Sequence, residues 1–134
     1  MTIKNIVRVE IIDISLLQGT RIVNMASAVL DTPFLAFEKI NVNVPAHCEI
    51  SDAIEDGERI YTSKLSFKAA EGIPKERVAF RITAADKSQY LIGTDEKPFP
   101  IVLSKANLPG SFSETSQTEY EVTWKGLLPA LQLL

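Results

Sequence analysis

The sequence predicts an all-β protein, an antiparallel sandwich or partly closed barrel of about seven to nine short strands with room for one short helix. Two observations carry that expectation. Apolar and polar residues alternate with period two in several separate stretches, as in Val78, Phe80, Ile82 and Ala84 set against Arg77, Arg81 and Thr83. Turn-forming residues then break the alternation at short intervals, as at Asp56-Gly57 and Asp86-Lys87-Ser88. No internal repeat or low-complexity linker is visible, so the 134 residues read as a single domain with an apolar tail at 127–134.

Taken in order, Val7, Val9 and Ile11 alternate with Arg8 and Glu10, after which Ile12, Ile14 and Leu16 fall on the opposite parity. Because a one-residue slip exchanges the two faces of a strand, either a β-bulge lies near Ile11-Ile12 or one strand serves two packing surfaces. Gln18-Gly19-Thr20 reads as a turn, and Arg21 to Leu30 fits a strand or a short helix equally well. Pro33 ends whatever precedes it. Ile40, Val42 and Val44 form a further strand that ends at or is kinked by Pro45. Tyr61, Leu65, Phe67 and Ala69 oppose Thr62, Lys64, Ser66 and Lys68 in a long amphipathic strand. Pro74 suits the opening of one helical turn over Lys75-Glu76-Arg77.

From Arg77 to Ile92 the pattern is a β-hairpin with a short polar connection, and another strand starts near Phe99. Residues 107–116 form a polar loop containing glycine and proline, and Tyr120, Val122 and Trp124 mark the last alternating strand. The stretch GLLPALQLL that follows carries no charge. An exposed apolar tail is an aggregation hazard, so it must dock, either on its own domain or on a neighbouring subunit. On the second alternative Leu127, Leu128, Leu131, Leu133 and Leu134 are candidate subunit contacts.

Composition limits the function classes. Hydrophobic residues at 46% and charged residues at 23% are ordinary for a folded domain, and a formal charge of −3 argues against a nucleic-acid binder that neutralises phosphates. No apolar run approaches the roughly 20 residues of a membrane span, and Arg8, Glu10 and Asp13 interrupt any signal-like N-terminal stretch. The expected partners are therefore neither nucleic acid nor membrane, and the expected location is the cytoplasm or a particle assembled there.

Candidate chemistry is sparse. His47 and Cys48 are the chain's one histidine and one cysteine. As neighbours on a strand they point to opposite faces, which suits neither a shared metal nor a nucleophile–base pair. The acidic run with Glu49, Asp52, Glu55, Asp56 and Glu58 lacks the spacing of an EF-hand and reads as a solvated loop. Gly57, Gly72, Gly93 and Gly110 sit at turns and form no phosphate-binding motif. Trp124 and Tyr120 read as core aromatics, with a sugar-stacking platform as the competing role. No catalytic residue, metal ligand or cofactor is expected, and the chain reads as a non-enzyme.

The hairpin RITAADKSQYLIGTDEKP, followed by a polar loop and the strand EYEVTWKG, resembles a group of small tail- or neck-associated structural proteins of phages and prophages of Bacteroides-type bacteria. The likeness covers about the last half of the chain and departs at Asp86-Lys87-Ser88, which lacks the Asn-Gly or Asp-Gly of a tight hairpin. It implies an assembly subunit whose partners are copies of itself or other particle proteins. On that reading Asp52, Glu55 and Asp56 form a candidate contact loop beside the tail and the loop Pro109–Thr118, and Lys64, Lys68 and Arg81 supply exposed positive charge that sets register against an acidic neighbour. The alternative is a ligand-binding β-sandwich that recognises a glycan or peptide through its aromatics and loop carboxylates.

Overall fold

A computed structural model describes residues 2–16, 20–24, 27–30, 37–40, 42–69, 77–94, 98–107 and 117–133. Among these, eleven strands are present: β1 Thr2–Asp13, β2 Thr20–Asn24, β3 Ser27–Leu30, β4 Glu38–Ile40, β5 Val42–Glu55, β6 Glu58–Ala69, β7 Val78–Ala84, β8 Gln89–Ile92, β9 Ile101–Asn107, β10 Gln117–Gly126 and β11 Leu131–Leu133. The all-β class is as the alternation predicted. The count exceeds nine because residues 20–30 divide into two strands and because β4 and β11, at three residues each, are too short to show a period. The short helix that residues 21–30 could have formed is absent among the described residues, since 20–24 and 27–30 are strands, and Ile14–Leu16, read by parity as strand, form a 3-10 turn. The helical turn expected at Lys75-Glu76-Arg77 lies outside the described residues except for Arg77, which adopts a left-handed φ of 56°.

All the strands belong to one sheet in the order β2-β3-β11-β8-β7-β1-β5-β6-β10-β9, with β4 beside β1. Pairing is antiparallel except between β11 and β3. The end strands β2 and β9 do not pair with each other, so the sheet is open. It nevertheless curls over its own inner face. Phe67 on β6 meets Phe80 on β7 at 6.3 Å between ring centroids although β1 and β5 separate their strands, and the buried Ser63 hydroxyl of β6 accepts a hydrogen bond of 3.0 Å from the Ala130 amide just before β11. Ile6, Val9, Leu65, Phe80, Ile82, Leu91, Val122 and Leu131 fill the space enclosed. A smaller cluster of Ile12, Ile14 and Ala79, with Phe37 and Phe99 against it, covers part of the other face.

The parity change in β1 is now explained. Pairing with β7 runs unbroken from Arg8 to Asp13, so no bulge lies at Ile11-Ile12. Val9 and Ile11 face the main core and Ile12 faces the smaller cluster, so a single strand serves two packing surfaces. The bulge lies earlier: Ile6 pairs with Ala84 and Arg8 with Thr83, which leaves Val7 as the extra residue, 50% exposed despite sharing parity with Val9. Register against β5 also slips between Ile3 and Ile6, where Asn5 has a φ of 56°. Farther along, β5 continues through Pro45, and its register with β6 is lost between Asn43 and His47 as expected where a residue has no amide hydrogen to donate.

Two turns hold the best-formed hairpins. Asp56 and Gly57 both take positive φ, 51° and 81°, which is the geometry a two-residue hairpin loop requires and the reason Asp-Gly is favoured there. The β7–β8 connection instead closes by a 2.9 Å bond from the Lys87 amide to the Ala84 carbonyl, and Lys87 itself is left-handed at φ 73°. The missing Asn-Gly is thus replaced by a longer turn. Its Asp86 carboxylate accepts from the Ser88 amide at 3.0 Å, a bond that holds the carboxyl below the ordinary carboxylate range. Between β8 and β9, Gly93 has φ 103°, and a Cβ there would stand 2.7 Å from Pro100 Cγ.

Candidate functional site

The acidic run expected as a loop is a projecting β-hairpin. On one side β5 pairs with β1 only as far as Glu49, and on the other β6 pairs with β10 only from Tyr61 onward. The intervening pairs, from Ile50↔Ser63 to Glu55↔Glu58, hold the segment in strand form while leaving it without a neighbour on its β1 side among the described residues. The pairs flanked on neither side among the described residues run from Ala53↔Ile60 to Glu55↔Glu58, three residues per strand, so the free arm is about 10 Å long before its turn. Every residue from Ser51 to Arg59 is exposed, and Ile54 near the tip is 70% exposed. A strand exposed on both faces gains nothing from core packing, so this arm is held by its backbone ladder, its tight turn and cross-strand pairs.

Its charges are partly used. Arg59 donates to Asp52 at 2.7 Å, and Lys125 at the end of β10 reaches Glu55 at 3.2 Å, tying the last pair before the turn to the sheet. These exposed pairs contribute about 0.2–1 kcal/mol each. Asp56 and Glu58 at the tip have no ion-pair partner among the described residues. With Asp52 and Glu55 that makes four carboxylates against the single guanidinium of Arg59. The candidate contact residues Asp52, Glu55 and Asp56 are therefore brought together, on an arm.

The tail behaves differently from the subunit-contact expectation. Leu131 is fully buried in the chain's own core, Leu128 and Leu133 pack against that core, and β11 is wedged between β8 and β3. Intrachain docking wins because β8 and β3 each offer it a free backbone edge as well as apolar surface. Leu127 alone remains open, at 60% exposed, and Leu134 lies outside the described residues. The expected loop at 109–118 is also outside them, apart from the backbone of residues 117 and 118 in β10.

Arg81 is likewise not a free surface charge. It lies opposite Glu10, whose side chain is 3% exposed, and donates from Nε to Oε1 at 3.0 Å and from Nη2 to Oε2 at 2.7 Å. Its guanidinium carbon stands 4.0 Å over the Phe37 ring, and Arg8 approaches Glu10 at 3.4 Å. Parity correctly set Glu10 and Arg81 on the face opposite Val9 and Ile82, but Phe37 arrives from elsewhere to cover it. Lys64 and Lys68 are exposed as expected.

The remaining candidates are structural. Cys48 is buried and His47 exposed, on opposite faces of β5 as adjacent strand residues should be. Burial pushes the Cys48 thiol up to about 12. Trp124 and Tyr120 are core aromatics, with the Trp124 indole donating to the Pro98 carbonyl at 3.0 Å and Tyr120 stacked on Phe67, so neither presents a face to a sugar. Among the described residues no group of three histidine, cysteine or carboxylate side chains is placed to hold a metal, no helix is long and apolar enough to cross a membrane, and no buried side-chain nitrogen or oxygen lacks a hydrogen-bond partner. Comparison of the chain with protein-family models, with curated proteins and with solved structures gives no match.

Proposed function

We propose that this chain is a non-enzymatic structural subunit, of the kind its C-terminal half resembles in phage tails and necks, and that it works through contacts with further copies of itself in a particle. The observation that supports this reading is the β5–β6 arm. Its residues from Ser51 to Arg59 are exposed, its tip carries two uncompensated carboxylates beside an exposed isoleucine, and a two-residue turn of positive φ closes it. A projecting arm adds little to the stability of its own fold and gives a neighbour a defined ridge of charge and apolar surface. The exposed Lys64 and Lys68 supply the opposite sign for a heterologous contact between copies.

Shortening the arm tests this. Asp52 and Tyr61 are direct partners, so replacing residues 53–60 with Asn-Gly re-forms a hairpin and removes no fully buried side chain. The shortened chain should keep a cooperative unfolding transition while losing the concentration-dependent mass seen by static light scattering and the particles seen by negative-stain microscopy. Equal association of the two chains, or a monomer mass for both at every concentration, would refute the reading.

A further inference from the structure

We infer that the free edge of β9 is a self-association surface, which pairs antiparallel with β9 of a second copy about a two-fold axis through Ser104 and so continues the sheet from one subunit into the next. The inference names one contact within the assembly reading above and rests on it. Strand β9 has β10 on one side and no strand on the other among the described residues. Such an edge presents unpaired amides and carbonyls, and monomeric proteins blunt it with bulges, prolines or charge. Here the ladder with β10 runs through seven consecutive pairs, from Gln117↔Asn107 to Thr123↔Ile101, with no register shift. The opposite end of the sheet differs, since β2 slips against β3 between Ile22 and Asn24. Of the two end strands, β9 is the one with a regular edge among the described residues.

The outer face of the same strand carries Ile101 and Leu103, 60% and 58% exposed. An axis through Ser104 gives each residue of β9 a partner, Ile101 opposite Asn107 and Leu103 opposite Lys105 of the second copy. Leu103 pairs with Glu121 and Lys105 with Glu119 inside each sheet. Across the junction one row then reads Glu121, Leu103, the second copy's Lys105 and the second copy's Glu119. By register, position 105 lies between Glu119 of its own copy and Glu121 of the other, and the like-charged positions 121 and 119 are three strand spacings apart, about 14 Å. Charge therefore favours this pairing.

Disulfide trapping reads the register directly. Directly opposed residues in an antiparallel pair have Cα atoms about 4.5–5.5 Å apart, within reach of a disulfide, so Ser104→Cys should cross-link to itself under mild oxidation. Lys39→Cys, exposed on β4 beside β1 and remote from the edge, is the collision control, and the buried Cys48 gives the background. At about 10 μM protein, pairing replaces random collision with an effective concentration on the order of 1 mM, so the Ser104→Cys dimer should form about 100-fold faster than the Lys39→Cys dimer. Adding Leu103→Lys, which sets two lysines opposite each other at an exposed position, should return the rate to the control. Equal rates for Ser104→Cys and Lys39→Cys, or an unchanged rate with Leu103→Lys, would overturn the inference. A chain that needs the arm to assemble yet fails to cross-link at 104 would refute this contact alone, whereas cross-linking that survives arm removal in a chain whose association the arm does not affect would refute the arm's role alone.

Discussion

Removing the guanidinium from Arg81 while keeping its aliphatic stem, as in Arg81→Met, strands the Glu10 carboxylate. That side chain is 3% exposed and receives both of its short hydrogen bonds, at 2.7 and 3.0 Å, from Arg81. What remains is Arg8 at 3.4 Å, itself half exposed. Breaking a buried pair by deleting one partner costs about 3–5 kcal/mol, and the remaining Arg8 places this case at about 3. Loss of the cation over Phe37 adds about 0.5–1 kcal/mol. The double change Glu10→Leu with Arg81→Met removes the stranded charge and should cost only about 1–2 kcal/mol, because a hydrophobic pair of similar volume replaces an ion pair with little net loss. Urea unfolding followed by the fluorescence of Trp124, the one tryptophan and a buried one, gives each free energy. The double-mutant cycle should return a coupling of about 2 kcal/mol. A coupling below about 0.5 kcal/mol would refute the claim that this carboxylate is held as a buried partner.

Two further outcomes are expected. Lys87 sits at φ 73°, where a side chain is strained and glycine is not, so Lys87→Gly should raise the unfolding free energy by about 0.5–1 kcal/mol in the same assay. Cys48, with its thiol pushed up from 9.0 to about 12 by burial, should at pH 8 hold roughly 1000-fold less thiolate folded than unfolded, so alkylation followed by mass spectrometry should be negligible until denaturant is added. Because the folded thiol binds its proton more tightly than the unfolded one, its contribution to stability is fully present below about pH 9 and is lost as pH rises toward 12.

How much of this was legible in the sequence depends on what period two can report. Alternation names the residues that share a face, and it located β7 and the Asp56-Gly57 turn closely and β6 and β10 to within three residues. It cannot report whether the second face is also covered. Arg81 looked solvated for that reason, since Phe37 lies far from it in the chain and carries no pattern that points to β7. Nor can alternation survive a bulge, which is why Val7 was grouped with the core of β1. For the candidate site, the acidic composition and the turn were readable, but the absence of a neighbouring strand beyond Glu49 was not. That absence is a property of where β1 begins its pairing, and it turned an expected loop into an arm. For the tail, docking on its own domain was one of two alternatives, but its place in the sheet was not readable, because its three-residue strand is too short for a period and is defined only by the gap between β8 and β3.

That gap has a bearing on how the chain folds. The strand that fills it, β11, is the farthest along the chain, yet it lies inside the sheet and joins β3, some hundred positions earlier, to the β7–β8 hairpin. Until residues 131–133 leave the ribosome, β8 and β3 each carry an unpaired edge and the cavity around Leu91 lacks Leu131. The hairpins β5–β6, β7–β8 and β9–β10 can form early from near neighbours, while closure of the structure must wait. Nascent chains of this protein therefore pass through a stage with sticky edges, and a molecule that binds extended apolar segments at the ribosome would protect them most during that interval.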